Sequence, residues 1–465
     1  MDRREFLQDL AIATTLVFMP ACLLADTHTT QASLEIDSQS AGATVPANFT
    51  GLSYESAQLG NPAFFSGSNT QLIELFRSLG KQGVLRIGGG TSEFTQWSAV
   101  DTHVPAQFDS FGPDTSKRVK TTITIAPKAI RNLRAFLDAT GWQLLYGLKV
   151  ARGTPQEAAA EAEFVQQTIG PRMLAFQIGN EPDAWRNRYR PASWGFTDYF
   201  ALWKQFRDAI VKQAPQASFA GPDVSNHLDW VVQFAERARD EIVLLTGHYY
   251  AEGPATSPKA TMDRLLSPNP RLDKDLTEIM QAARAVHIPY RMSEGNSCWD
   301  GGKPGVSDTL GSALWAADMM LQFAQAGCAG VNLHGGGNGF YTPIAGGLHD
   351  GFTRRPEFYG MQFAEHFTGT TFVKSTLSNP SGRLTAYVAK KNAQMQVAIV
   401  NKGTADVVVS MKGPSLPMPK KIWVLGGPSL ESKQHVTLRQ RSAYMSKQWT
   451  VLAPAHSAAL YEFPS

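Results

Sequence analysis

Eight short apolar runs, each separated from the next by a helix-like segment, constrain this chain more than any other feature. They are "FTGLSYES" (49–56), "GVLRIGGG" (83–90), "WQLLYGLKV" (142–150), "MLAFQIGNE" (173–181), "ASFAGPDV" (217–224), "EIVLLTGHYY" (241–250), "IPYRMSEGNS" (288–297) and "AGVNLHGGG" (329–337). Short continuous apolar runs suit strands buried on both faces, as in a parallel sheet. The segments between them, such as "TQLIELFRSLGKQG" and "PKAIRNLRAFLDATG", space apolar residues by three and four and stop at a glycine. Eight such βα units predict an α/β fold, a (β/α)8 TIM barrel. A doubly wound sheet is the alternative, but it does not need eight units with a polar or glycine-rich tail after nearly every strand.

The texture changes near Gly369. "RLTAYVAKKNAQMQVAIVNKG", "ADVVVSMKG", "KKIWVLGG" and "SAALYEF" are short alternating strands divided by turn residues, which predicts an appended C-terminal all-β sandwich domain. The expected division is an export signal over 1–31, a strand within 32–48 that joins the β-domain, the barrel over 49–367 and the sandwich over 368–465. The N-terminal "MDRREFLQDLAIATTLVFMPACLLADT" places Arg3-Arg4 before a short apolar run broken by Pro20, the pattern of a twin-arginine signal rather than a membrane span. A protein exported to the periplasm or beyond is expected, with no membrane span in its mature form. The three cysteines make no disulfide framework; Cys298 and Cys328 are expected to pair or, more in keeping with a large domain, to stay free.

The net charge is only +3, which gives no reason to expect a nucleic-acid partner. From His366 onward nine lysines and three arginines face only Asp406, Glu431 and Glu462, so the β-domain carries the positive excess. A solvated basic face accounts for that, and attraction to an acidic polymer is the sharper alternative. No H-E-x-x-H and no Cys/His cluster is present, so neither a metal nor another cofactor is expected. Nothing in the sequence fixes an oligomeric state.

Chemistry in such barrels gathers at the C-terminal ends of the strands. Glu181 ends the fourth run and Glu294 the seventh, each after apolar residues and before a turn-forming Pro or Gly. Two carboxylates at one open face supply what glycoside hydrolysis needs: one protonated to help the leaving oxygen depart, one ionised to attack. Asp183, Glu55 and Asp223 also lie near strand ends but fit no second role as well. Arg86, in the second run, is a cation placed either beside the nucleophile or against a structural carboxylate. Trp97, Trp185 and Trp299 fall in loops at the same face, where they either stack on sugars or cover the barrel. His248 reads as a satisfied structural histidine.

"FTGLSYESAQL", "LRIGGGTSEF", "GHYY", "MSEGNS" and "HGGGNGFYTPI", together with "GNEP", resemble glycoside hydrolase family 79, the β-glucuronidases and heparanase, within the clan of retaining (β/α)8 glycosidases. The resemblance runs from about residue 48 to the C-terminus. It implies Glu181 as acid/base, Glu294 as nucleophile, Asn180 at the sugar 2-hydroxyl and Tyr250 as a donor to the nucleophile, with Tyr249 its one-residue alternative. It also implies a carbohydrate substrate with a β-linked uronic acid. The loop His334–Tyr341 follows the eighth run, and by this resemblance it receives the uronate carboxylate. Successive N–H groups of Gly335 and Gly336 are expected to form an anion nest there, with His334 and the Tyr341 hydroxyl beside it. The expected activity is a retaining exo-β-glucuronidase. An endo-acting heparanase-like enzyme, a β-glucosidase of the clan and a non-catalytic carbohydrate-binding protein are the alternatives.

Overall fold

The computed structural model describes residues 30–101, 122–336, 338–378, 382–392, 394–413, 418–442 and 449–464. The expected export signal therefore lies outside the described residues, as does most of the long loop over 96–120.

Eight parallel strands close into a barrel: β1 (Thr50–Glu55), β2 (Val84–Gly88), β3 (Gln143–Leu148), β4 (Met173–Ile178), β5 (Phe219–Val224), β6 (Leu244–Glu252), β7 (Tyr290–Cys298) and β8 (Gly330–His334). Closure is made by β8 on β1, with Val331 opposite Thr50 and His334 opposite Ser53. Strands β2, β5 and β7 are buried along their whole length, as sheets covered on both faces require. The outer helices start and stop at local signals. Thr154 and Glu157 form a reciprocal capping box at the start of Pro155–Ile169. Gly141, at φ 83°, ends Pro127–Thr140, where a Cβ would stand 2.6 Å from the Lys81 carbonyl oxygen.

Strands β6 and β7 have nine residues each and run past the rim that the shorter strands define. Glu294 is thus inside β7 rather than at its end, and four strand residues follow it. Two bulges interrupt the parallel ladder beside this point. One places Asp223 as an extra residue between the Pro222–Thr246 and Val224–Gly247 pairs. The other places Ser293 between the Met292–Gly247 and Glu294–His248 pairs. Bulges re-aim side chains that regular alternation would send elsewhere.

The β-domain is a nine-stranded sheet in one hydrogen-bonded series. Strand Thr30–Thr44 belongs to it, antiparallel to Thr371–Ser378 and parallel to Val407–Lys412. Between Thr371–Ser378 and Leu384–Lys391 only two residue pairs remain, Thr371–Lys390 and Phe372–Ala389. Leu34, Val409 and Val451 on one side of this seam share a core with Val397, Ile422 and Tyr461 on the other, so the two halves face each other. Cys298 and Cys328 are both buried and free. No described helix is long and apolar enough to cross a membrane.

The β-domain is locked to the barrel through the buried helix Leu310–Ala326. Its Asp318 carboxylate accepts from Thr385 Oγ1 at 2.5 Å and the Tyr387 hydroxyl at 2.7 Å, and forms an ion pair with Lys402. The Lys402 and Asp318 side chains are only 7% and 12% exposed. Removing one partner of a buried pair leaves an uncompensated charge, so Lys402→Met is expected to cost about 3 kcal/mol. Denaturant unfolding measures this; a loss below about 1 kcal/mol would mean that the pair does not hold the two domains together.

Candidate active site

The site begins with a kink. After β4 the chain turns through Gly179 at φ 95° and reaches Glu181 in the left-handed region, at φ 48° and ψ 54°. A non-glycine residue there costs about 1–3 kcal/mol and persists only where its surroundings enforce it. The Glu181 N–H donates to the Asp223 carbonyl at 2.9 Å. Trp185 Nε1 donates to the Asn180 carbonyl and Trp194 Nε1 to that of Pro182, each at 2.9 Å. The Ala184 N–H donates to the Glu181 carbonyl at 2.9 Å, so both peptides flanking Glu181 are clamped, and its carboxylate meets His248 Nδ1 at 3.0 Å.

Arg86, fully buried on β2, is the hub. Its Nε donates to Gln177 Oε1 at 2.8 Å and Nη1 to Ser53 Oγ at 3.0 Å. Nη2 donates to Asn180 Oδ1 at 2.7 Å and Asp223 Oδ2 at 2.6 Å, and Nη1 forms a short ion pair with Glu294 Oε2. This arginine thus pairs with two buried carboxylates, Asp223 and Glu294. Burial opposes its charge, but Asp223 and Glu294 more than offset that and hold it protonated.

Glu294 is 6% exposed. Its Oε1 accepts from the Tyr250 hydroxyl at 2.9 Å. His334 Nδ1 lies 3.8 Å from Oε2 and His248 Nδ1 lies 4.0 Å from Oε1. Burial alone would raise its pKa; His334, His248, Arg86 and the Tyr250 bond overcome this and hold the carboxyl well below the usual carboxylate range. Tyr250 is pushed well up by burial and by Glu294, so its hydroxyl stays protonated and donates. An ionised, oriented carboxylate with limited hydration is the state a nucleophile needs.

His248 ties the two glutamates together. Its Nδ1 lies 3.0 Å from Glu181 Oε1 and its Nε2 lies 3.2 Å from Asp223 Oδ2. Burial disfavours its charge, yet Asp223, Glu294 and the bond to Glu181 raise it to about 10. Asp223 is correspondingly held below the carboxylate range: burial works against it, but Arg86 and His248 dominate together with the Ser293 bond. One ligand atom each of Glu181, His248 and Glu294 lies within 4.8 Å of the others, a grouping that could bracket a metal ion. Both ring nitrogens of His248 face carboxylates, Nδ1 that of Glu181 and Nε2 that of Asp223.

The sign of the His248 shift fixes a test. Its folded value of about 10 stands above the ordinary 6.5, so its charge stabilises the fold fully below pH 6.5, and that stabilisation is lost as pH rises through about 10. The Tm gap between the native chain and His248→Gln should therefore be widest near pH 6.5 and close toward pH 10. A gap that ignores pH would show that His248 is not the charged bridge.

The loop after β8 departs from expectation. The Gly335 N–H donates to the Ser53 carbonyl at 2.8 Å, and the Gly336 N–H donates to Thr342 Oγ1 at 2.8 Å. Both donors are committed inside the protein, so these two glycines form no anion nest; Gly337 lies outside the described residues. Their role is close packing: a Cβ on Gly335 would stand 2.7 Å from Thr342 Oγ1, and one on Gly336 2.8 Å from the Tyr54 ring. His334 and Tyr341 do reach the site, their rings 6.0 Å apart, and Tyr341 lies 6.4 Å from the Tyr250 ring. The Tyr249 hydroxyl instead accepts from Asn269 Nδ2 at 3.1 Å, on the other side of β6.

The remaining residues separate cleanly. Asp183 accepts from the backbone N–H groups of Ser225, Asn226 and His227 and from Ser225 Oγ, which makes it a loop anchor. Glu55 accepts from Thr91 N at 2.8 Å and Thr91 Oγ1 at 2.5 Å, with its other oxygen 3.7 Å from His334 Nε2. Trp185 is buried against Trp194, and Trp97 packs on Phe164; Trp299 alone of the three is exposed, at 43%. The bridging role of His248 and the supporting roles of Ser53, Gln177 and Ser293 were not read from the sequence. Their one signal is a polar residue inside an otherwise apolar buried strand.

No family model matches this chain. A β-glucuronidase of Neurospora crassa is 26% identical over 330 residues, 63% of this chain and 57% of that protein. A β-glucuronidase of Aspergillus niger is 25% identical over 392 residues, 74% of this chain and 68% of that protein. The chain thus spans little more than half of the Neurospora relative. Among solved structures, a 4-O-α-L-rhamnosyl-β-D-glucuronidase from Fusarium oxysporum matches at a TM-score of 0.69 with 17% identity, covering 92% of this chain and 99% of that one. A family 51 arabinofuranosidase from Xanthomonas axonopodis pv. citri matches at 0.69 with 17% identity, covering 93% and 100%. The barrel with an added all-β domain is the fold of these glycoside hydrolase structures.

Proposed function

We propose that the protein is a glycoside hydrolase, and more narrowly a retaining exo-β-glucuronidase similar to family 79. The observation that carries the mechanism is the closeness of the two carboxylates, with one oxygen of each within 4.8 Å. Retaining enzymes hold their carboxyl groups about 5–5.5 Å apart, whereas inverting ones leave about 6.5–9.5 Å for a water. Glu294, ionised and held by Arg86 and Tyr250, attacks the anomeric carbon. Glu181 protonates the departing oxygen, and the His248 imidazolium beside it stabilises the carboxylate left behind. Glu181 then takes a proton from the water that attacks the same carbon, and the Glu294–sugar ester breaks to release the sugar. Asn180, with Oδ1 committed to Arg86, presents its NH₂ to the sugar 2-hydroxyl.

The names of both curated relatives support glucuronate as the sugar. With the Gly335 and Gly336 donors committed elsewhere, His334, whose pKa is raised by Glu294 and Glu55 against the effect of burial, and the Tyr341 hydroxyl are the described groups of this loop offered to a C5 carboxylate. Beside Tyr341 the Phe340 N–H donates to the Gly301 carbonyl at 2.6 Å, which ties the loop after β8 to the loop after β7. The Arg3-Arg4 leader suits action outside the cytoplasm.

The arabinofuranosidase neighbours supply the second reading. Purified protein is to be offered p-nitrophenyl β-D-glucuronide, β-D-glucoside and α-L-arabinofuranoside. Release from the glucuronide alone is the expected result. Preference for the glucoside or the arabinofuranoside would remove the uronate assignment and leave only the glycosidase.

A further inference from the structure

We infer that Glu357, buried beside Asn296, is a positioning residue for the substrate's carboxylate: while it keeps its proton the loop bearing His334 and Tyr341 is held in place, and without that proton the hold loosens. This rests on the reading of His334 and Tyr341 as the groups that meet a C5 carboxylate.

Two clasps fasten the loop after β8. Asn296, in β7 two residues after Glu294, donates through Nδ2 to the His334 carbonyl at 2.9 Å and the Tyr341 carbonyl at 3.2 Å. Arg355, which precedes the helix Pro356–Glu365, donates through its N–H to the Pro343 carbonyl at 2.9 Å and through Nη1 to the Gly339 carbonyl at 2.5 Å. Glu357 lies in the first turn of that helix, is 1% exposed and stands beside the Asn296 and Ser297 side chains.

The donors around it are already spent. Asn296 Nδ2 serves the two loop carbonyls, and its Oδ1 accepts from the Ser297 N–H at 2.6 Å and Ser297 Oγ at 3.0 Å. Neither oxygen of Glu357 has a hydrogen-bond partner, and Arg355 forms no ion pair with it among the described residues. A carboxylate only accepts, so an ionised Glu357 would be buried without a donor. A carboxylic acid has an O–H of its own, and the remaining lone pair of Ser297 Oγ can accept it. Burial holds this carboxyl well above the usual carboxylate range and Asp308 adds to that, against Asn296, Ser297 and Arg355. Asp308 is itself paired with Lys433 at 2.8 Å. The Tyr341 hydroxyl is held protonated by burial first, with Glu294, Glu55 and Glu357 adding to it. The helix Leu310–Ala326 packs on the same helix at Gly360, where a Cβ would stand 2.2 Å from the Ala313 carbonyl oxygen, and it has no charged residue before Asp318. Glu74, Arg77, Lys421, Arg439 and Arg441, on the other elements packed there, are all exposed. A charge on Glu357 would therefore draw Asn296 or Arg355 toward it, and either movement opens a clasp on the loop.

Glu357→Gln keeps a neutral donor at this place. Steady-state kinetics with p-nitrophenyl β-D-glucuronide compare it with the native chain between about pH 6 and about pH 10. The expected result is a KM equal within about twofold at the acid end and a native KM about three- to tenfold above that of the variant at the alkaline end, while kcat differs by less than about twofold throughout. His334 also sheds a proton as pH rises, which weakens both chains alike, so the gap between them is the readout. Superimposable KM profiles, or a loss in the variant that ignores pH, would overturn the inference and leave the glucuronidase assignment standing. Should that variant not fold, Ser297→Ala removes the acceptor of the Glu357 proton and should move the native rise in KM to lower pH by about one unit; an unshifted rise would overturn the inference. Native protein that cleaves no glucuronide would remove the uronate reading, and the inference with it.

Discussion

Glu294→Gln is expected to lower turnover of p-nitrophenyl β-D-glucuronide by a factor on the order of 10⁴–10⁶, the scale seen when a covalent nucleophile is removed. The amide keeps the shape of the side chain and can still accept from Tyr250, but it cannot form the ester. The fold should survive, because Arg86 keeps Asp223, Gln177, Ser53 and Asn180. Substrate should still bind, so ligand protection against thermal unfolding separates loss of chemistry from loss of the site. Residual activity within about tenfold of the native chain would place the nucleophile elsewhere.

Glu181→Ala is expected to lose about 10²–10⁴ in kcat/KM. The loss should be smaller for a nitrophenyl leaving group, which departs without much protonation, than for a sugar alcohol. Accumulation of the glycosyl-enzyme should also lower KM for the activated substrate. Sodium azide supplies an anion that needs no general base, so it should restore turnover and give a β-glucuronyl azide. An equal loss for good and poor leaving groups, with no azide product, would contradict the acid/base role. The same variant frees His248 from its 3.0 Å contact, which makes its pH profile a second readout of that bridge.

Much of this architecture is legible in the sequence because it depends on local periodicity. Runs such as "LLYGL" and "LAFQI" are continuous and apolar because each barrel strand is covered on both sides, and the helices between them announce their own caps. Glu181 and Glu294 stand out because a carboxylate after such a run has nowhere apolar to go. What is not legible depends on pairing across the chain. The bulges at Asp223 and Ser293 arise from register between neighbouring strands, and no local pattern marks them. His248 looks like a structural histidine until β4, β5 and β7 bring Glu181, Asp223 and Glu294 around it. The glycine loop misleads for the same reason: its N–H groups are spent on Ser53 and Thr342, partners that spacing does not reveal. The lone strand at Thr30–Thr44 can be suspected of joining the β-domain, but its place between Thr371–Ser378 and Val407–Lys412 cannot be read ahead of the fold.

The most direct measurement is mass spectrometry of the protein after exposure to 2-deoxy-2-fluoro-β-D-glucuronyl fluoride, which forms the glycosyl-enzyme quickly and hydrolyses it slowly. The expected result is one fluoroglucuronyl group per chain, located by peptide mapping on Glu294 and absent from Glu294→Gln. Steady hydrolysis of the reagent with no adduct, or an adduct on any other residue, would contradict the account at its centre.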